Sequence, residues 1–101
     1  MGRRYDRRPM PKVELARHLY AFFPQLEGQE ISVDAHTAAD VVQAMEKIAP
    51  GFSFYICDER GSLRPHVNIF IEQDMVTDRK ALTDKVKPDA RVYILQALSG
   101  G

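Results

Sequence analysis

The feature that most constrains the fold of this sequence is a single amphipathic helix in the middle of the chain. Apolar residues recur there at helical spacing and would lie on one face: Ala38, Val41, Val42, Met45, Ile48 and Ala49. Thr37 is a suitable N-cap, with Asp40 three residues later as a variant of the capping box, and Pro50 and Gly51 end the helix. One helix cannot bury such a stripe alone, so we expect a β-sheet to cover it.

Segments on both sides of the helix alternate between apolar and polar residues, which is typical of half-buried strands. The predicted strands are 12–17, 29–34, 52–57, 67–72 and 91–97. The first two, joined by residues 18–28, form an antiparallel hairpin in the simplest arrangement. Residues 73–89 are polar and irregular, with one short helical turn expected near 80–84. The predicted order is therefore ββαβββ, an α+β fold with a mixed sheet packed on one main helix.

Length and charge narrow the classes of function. The 101 residues suffice for one domain, which we place at 12–98, between a disordered basic arm at 1–11 and a flexible tail at 99–101. Four arginines and one aspartate give residues 1–10 a net charge of +3, so the remainder carries −3. An acidic body argues against nucleic acid as the main partner, because phosphate contacts require clustered Lys and Arg. No apolar run of about 18 residues occurs, so no membrane-spanning helix is expected.

The side chains that commonly perform catalysis form no recognisable site. His18, His36 and His66 lie far apart in the sequence and lack neighbours at metal-ligand spacing. Cys57 is the one cysteine, so neither a disulfide nor a cysteine metal centre can be built within the chain, and a reducing cytoplasm suits it. In the predicted strand 52–57 this thiol would be buried, with a raised pKa, and therefore inert. We expect no bound metal or cofactor and no enzymatic activity of the chain itself.

The end of the sequence is its unusual feature, because Ser99, Gly100 and Gly101 follow directly after a predicted strand. In that position the sheet would present the carboxylate of Gly101 on a short segment with almost no side chains. Attack of a carboxylate on the α-phosphate of ATP gives an acyl-adenylate, which sulfur or an amine then displaces. Glycine suits a narrow enzyme channel because nothing projects from its backbone. We therefore predict Gly101 as the reactive site and Leu98, Ser99 and Gly100 as the residues bound in the partner's channel.

Three stretches together resemble the MoaD/ThiS family of sulfur carriers, and most closely its CysO-like branch. They are 63–71 (LRPHVNIFI), 92–95 (VYIL) and 97–101 (ALSGG). The resemblance implies the β-grasp fold of ubiquitin. It also implies adenylation of Gly101 by an E1-like adenylyltransferase of the MoeB/ThiF type, which uses ATP and magnesium. A sulfurtransferase or another sulfur donor would then convert the adenylate to a thiocarboxylate, whose sulfur passes to a biosynthetic enzyme.

Two turns depart from the family pattern. The family often has an Asn-Gly-type turn after the N-I-F strand, whereas residues 72–75 read EQDM, and a glycine-containing turn before the last strand is replaced by KPDA at 87–90. The family pattern therefore does not predict which partner these loops contact. The destination of the sulfur is also open: molybdopterin, thiazole, cysteine, thiolated tRNA or a specialised metabolite. Two other functions also stay open, namely a protein modifier joined to lysines through Gly101 and a β-grasp interaction module whose tail is incidental.

The alternation of side chains along a strand predicts a docking surface for the partner. If Val67 and its alternate neighbours pack on the helix, Phe70 faces the opposite way, and by the same logic so do Tyr93 and Leu95. Exposed aromatic and aliphatic side chains on neighbouring strands are typical of protein-binding patches. The alternative is that the long segment 73–89 covers this face.

Overall fold

The computed structural model describes residues 9–97. Leu98, the last residue of the predicted domain, and the predicted tail 99–101 lie outside the described residues, as do residues 1–8 of the predicted arm. The strands are β1 (Lys12–Leu15), β2 (Ile31–Ser32), β3 (Val67–Ile71), β4 (Asp74–Met75) and β5 (Arg91–Gln96), and the helices are α1 (Ala38–Ile48) and α2 (Phe52–Ile56). Strands β1 and β5 are parallel in a sheet of order β2-β1-β5-β3-β4, and the other neighbouring pairs are antiparallel. The predicted α+β class, with a mixed sheet and one main helix, is confirmed.

Helix α1 has the predicted N-terminal cap. The backbone N–H of Asp40 donates to Oγ1 of Thr37 at 3.1 Å, and the N–H of His36 donates back to Oδ2 of Asp40 at 3.0 Å. The predicted stripe is buried except for Ile48, which is 45% exposed. Ile48 lies at the edge of the stripe in the last helical turn, beside the β2 edge of the sheet, where the core does not fully enclose it. Within residues 9–97, no helix is both long enough and apolar enough to cross a membrane.

The strand predicted at 52–57 is wrong, because residues Phe52–Ile56 form helix α2. Gly51 adopts a left-handed conformation with φ of 97°, which turns the chain sharply after α1. The carboxylate of Glu46 accepts the backbone N–H groups of Gly51 and Ser53, and these hydrogen bonds lower the pKa of Glu46. Phe52 and Ile56 are fully buried, four residues apart as on one helix face. The apolar residues at 52, 54 and 56 resemble the alternation of a strand, but Phe54 is 62% exposed and does not share the buried face of Phe52 and Ile56.

The strand predicted at 67–72 ends one residue earlier and is followed by a strand that the sequence did not predict. Ile71 pairs with Asp74, so Glu72 and Gln73 form a two-residue hairpin turn between β3 and β4. Glu72 has φ of 58°, a conformation that glycine adopts more readily. Its carboxylate accepts the backbone N–H of Arg91 at 3.0 Å, which ties the turn to the start of β5. The predicted β1–β2 pairing is confirmed as antiparallel, although β2 spans two residues only.

Apart from β4, which is part of the sheet, the long segment 73–89 packs on the side of the sheet that carries α1. Leu82 and Val86 are buried in the core. The carbonyl of Leu82 accepts the N–H of Ala39 at 2.9 Å, and the N–H of Val86 donates to the carbonyl of His36 at 2.9 Å. These contacts attach the segment to the first turn of α1. The segment therefore does not cover the opposite face of the sheet.

Two aspartates hold this segment in an irregular conformation. Asp78 accepts the hydroxyl of Thr83 and several backbone N–H groups, and this set of hydrogen bonds, led by the hydroxyl, lowers the pKa of Asp78. Backbone N–H groups of Thr77 and Asp78 likewise lower the pKa of Asp84. The predicted short helical turn forms slightly earlier than expected, at 79–81, where the N–H of Leu82 donates to the carbonyl of Asp78 at 2.9 Å. The Asp78 side chain caps its first N–H groups, and the positive φ of 54° at Leu82 ends it after one turn.

Candidate functional site

Strand β5 leads to the predicted reactive tail and is the central strand of the sheet. On one side it pairs with β1 over the whole of Lys12–Leu15, and on the other it pairs with all of β3. At its end Gln96 pairs with Val67, and the N–H of Ala97 donates to the carbonyl of His66 at 2.7 Å. We term Gln96 and Ala97 the tail root. Strands on both sides hold β5 as far as Ile94, and the pairing with Val67 and His66 then fixes the position of the tail root.

Aromatic residues lie next to the tail root on the side of the sheet that carries the helices. The hydroxyl of Tyr55 in α2 donates to Oε1 of Gln96 at 2.8 Å. The Tyr55 ring lies 5.1 Å from the ring of Phe22 and 5.6 Å from that of Phe23, measured between centroids. Phe23 is buried, whereas Phe22 is 58% exposed. The sequence pattern missed this cluster because it placed Tyr55 on a strand.

Arg79 supports the strand that neighbours the tail root. Its guanidinium donates to the side-chain oxygen of Asn68 at 2.8 Å and to the carbonyls of Arg64 and Val67 at 2.8 and 2.9 Å. Val67 and Asn68 begin β3 and Arg64 precedes it, whereas β4 pairs only with Phe70 and Ile71 at the other end of the strand. Arg79 therefore satisfies backbone groups that would otherwise form an open strand edge. No pattern in the sequence distinguishes Arg79 from the other polar residues of segment 73–89.

The predicted docking residues share the sheet face that points away from the helices. Phe70 and Tyr93 are direct cross-strand neighbours, and Leu95 lies opposite Asn68 in the adjacent row. Met75 extends the first row from β4, since it pairs with Phe70. Tyr93 and Met75 are exposed, by 38% and 48%, while Phe70 and Leu95 are half-buried. The structure thus brings the three predicted residues together on an uncovered face, although their role in binding stays a prediction.

The cysteine and the histidines have no common site. Cys57 follows α2 rather than lying within a strand, and it is buried. Burial raises the pKa of the Cys57 thiol, with a smaller contribution from the nearby Asp58 carboxylate, so the thiol is protonated and unreactive at neutral pH. Among residues 9–97, no three His, Cys, Asp or Glu side chains are grouped in a way that could hold a metal ion.

Comparison with known proteins gives matches among solved structures. No protein-family model and no curated protein matches the sequence. CysO of Mycobacterium tuberculosis matches with a TM-score of 0.73 at 25% identity, over 87% of this chain and 99% of that chain. A chain of the Amycolatopsis orientalis BexX/CysO complex matches with a TM-score of 0.76 at 19% identity, over 90% and 99% of the two chains.

The chain has the β-grasp fold. The predicted resemblance to CysO is confirmed at the level of the fold. The small archaeal modifier protein 1 of Methanosarcina acetivorans also matches, with a TM-score of 0.71 at 20% identity, over 95% of this chain and 100% of that chain. In this β-grasp domain the tail root is the end of the central strand, with the Tyr55 cluster on one side and the Phe70–Tyr93 face on the other.

Proposed function

We propose that this chain is a ubiquitin-like sulfur carrier whose reactive group is the carboxylate of Gly101. The observation that carries the proposal is the position of the tail root at the end of the central β-grasp strand, four residues before Gly101. An E1-like adenylyltransferase of the MoeB/ThiF type would bind Leu98, Ser99 and Gly100 in its channel. The chain itself acts as a co-substrate and supplies no catalytic side chain. We place this function in the cytoplasm.

The proposed chemistry takes place on the backbone and requires two displacements. A carboxylate oxygen of Gly101 attacks the α-phosphorus of ATP, and magnesium pyrophosphate leaves. Hydrosulfide from a sulfur donor then attacks the carbonyl carbon, AMP leaves, and loss of the S–H proton gives the thiocarboxylate. Where the donor is the persulfide of a sulfurtransferase, the same attack gives an acyl disulfide, and a thiol reductant must cleave its S–S bond to release the thiocarboxylate. A biosynthetic enzyme accepts that sulfur. Both ATP and magnesium belong to the activating enzyme, so the carrier needs no cofactor of its own.

The short tail determines how closely the enzyme must approach the domain. Four extended residues span at most about 14 Å. An active site that holds the Gly101 carboxylate must therefore lie within that distance of Ala97. Such an enzyme necessarily contacts the end of the sheet, and the folded domain serves as the surface that it recognises.

Intact mass spectrometry tests the proposal directly. We expect incubation of the carrier with the host's adenylyltransferase, ATP, magnesium and a sulfur donor to add the mass difference between one sulfur and one oxygen. Omission of ATP is the control, and it should leave the mass unchanged because the carboxylate is then not activated. A carrier whose mass stays unchanged with every adenylyltransferase of the host would favour an interaction module instead.

A protein modifier is the second candidate function, and the similarity to small archaeal modifier proteins of Methanosarcina acetivorans and Haloferax volcanii favours it. The first chemical step would be the same. A lysine amine rather than sulfur would then attack the adenylate or a thioester formed from it, giving an isopeptide bond. In the same mass experiment, conjugates linked through Gly101 to lysines of other proteins would identify a modifier.

Substitutions on the sheet face that points away from the helices test the predicted docking residues. We expect Phe70→Ala and Tyr93→Ala each to weaken binding to the adenylyltransferase by about 1–2 kcal/mol, a roughly five- to thirtyfold rise in the KM for the carrier. Both side chains are partly accessible, so the domain should keep its circular dichroism spectrum. Pyrophosphate exchange measures the KM. Unchanged adenylation together with unchanged sulfur delivery would remove these residues from the site.

A further inference from the structure

Phe22 is a large apolar side chain that is exposed to solvent in the folded domain. It follows the short 3-10 helix Arg17–Ala21, and 58% of its surface is accessible. The neighbouring Leu19 and Phe23 are buried and supply the core contacts of this segment. Aromatic residues, including Phe, are enriched at protein–protein interfaces relative to the rest of the surface. The Phe22 ring is therefore available for a contact outside the domain.

Phe22 is connected to the tail root through one intervening side chain. Its ring packs on Tyr55 at 5.1 Å, and the Tyr55 hydroxyl bonds Gln96 at 2.8 Å. Gln96 lies two residues after the buried Ile94 in β5, so both side chains point to the side of the sheet that carries the helices. The hydrogen bond between Tyr55 and Gln96 therefore lies on that side. Tyr93 and Leu95 lie on the opposite side. The tail root therefore has an accessible aromatic surface on each side.

We propose that Phe22 and Tyr55 form a second docking surface for the adenylating enzyme that receives Gly101, on the opposite side of the tail root from Phe70 and Tyr93. This inference rests on the proposed function. The occupant follows from the length of the tail, because an enzyme site within about 14 Å of Ala97 must cover the end of the sheet. On the helix side of the tail root, the exposed Phe22 ring next to Tyr55 is available to such an enzyme. Contacts on both sides fix the direction of the tail, which adenylation requires for alignment with the α-phosphate.

Pyrophosphate exchange with the host's adenylyltransferase and ATP tests this surface. We expect Phe22→Ala to raise the KM for the carrier about tenfold, with kcat within about twofold of wild type, because docking weakens while the tail chemistry is unchanged. Phe22→Leu should restore part of the affinity. Ile48→Ala is the matched control: Ile48 is also exposed and apolar, but it borders the β2 edge of the sheet with Leu26 and Ile31. This control should behave as wild type.

The outcomes separate the inference from the proposed function. If the wild-type carrier supports no exchange with any host adenylyltransferase, the proposed function fails. If wild type and Phe22→Ala give the same KM, only the second docking surface fails. It also fails if Phe22→Ala impairs only the transfer of sulfur to the acceptor, since another enzyme would then occupy the surface. A carrier dimer in sedimentation that Phe22→Ala dissociates would assign the surface to a second copy of the chain and overturn the proposal.

Discussion

One extra residue after Gly101 should abolish thiocarboxylate formation while the β-grasp domain stays folded. The Gly101 carbonyl then belongs to an amide, which cannot attack ATP. The new carboxylate lies about 3.5 Å further along the chain. Because a misplacement of about 1 Å can already reduce a rate about a hundredfold, we expect a loss of at least that size in adenylation. Pyrophosphate exchange and intact mass measure the loss.

The matched control places the same extra residue before Met1, which changes the length equally and leaves Gly101 free. It should form thiocarboxylate as the wild-type carrier does, and both variants should unfold at the wild-type temperature. Full activity of the variant extended after Gly101 would show that the reactive group is not the Gly101 carboxylate. The assignment of Gly101 would then fail, while the carrier function itself would stand on a different carboxylate.

Helix α1 and its cap could be predicted from the sequence because their determinants are local. The capping hydrogen bonds join residues three and four positions apart, from Thr37 to Asp40 and from His36 to Asp40. The apolar stripe likewise repeats within eleven residues. Helix α2 escaped prediction because five residues are too few to distinguish a helical period from a strand period. Its start depends on Glu46 and on the left-handed Gly51, which lie outside the segment itself.

The surroundings of the tail root could not be predicted, because they depend on pairs that are distant in sequence. Tyr55 and Gln96 are 41 residues apart, and no local pattern connects them. Arg79 bonds acceptors 11 to 15 residues before it, from within a segment that reads as an irregular loop. The sheet face that points away from the helices was easier to predict, because the alternation of side chains along each strand places Phe70 and Tyr93 on it. The sequence thus indicates which face is free but not which side chains support the strand ends.

Loss of the Arg79 side chain should have the largest effect on stability among the polar residues described above. Arg79→Ala removes three hydrogen bonds of 2.8–2.9 Å from a charged donor group and leaves the carbonyls of Arg64 and Val67 without that partner. We expect a loss of about 2–4 kcal/mol in the free energy of unfolding, since water replaces only part of these contacts. For a domain of this size, the melting temperature should fall by about 10 °C or more.

A local measurement distinguishes this role of Arg79 from a general loss of packing. The residues that Arg79 holds precede or begin β3, and the carbonyl of His66 in this stretch accepts the N–H of Ala97. Hydrogen exchange of the Ala97 amide should therefore accelerate in Arg79→Ala more than that of core amides in α1.

Arg79→Lys keeps the charge but cannot reach all three acceptors, so its effect should be intermediate. Arg60→Ala, at an exposed turn, is the control and should be neutral. Equal acceleration at α1 and Ala97 would contradict a specific role at the tail root, because it would show that Arg79 stabilises the whole domain without ordering the strand end from which the tail leaves.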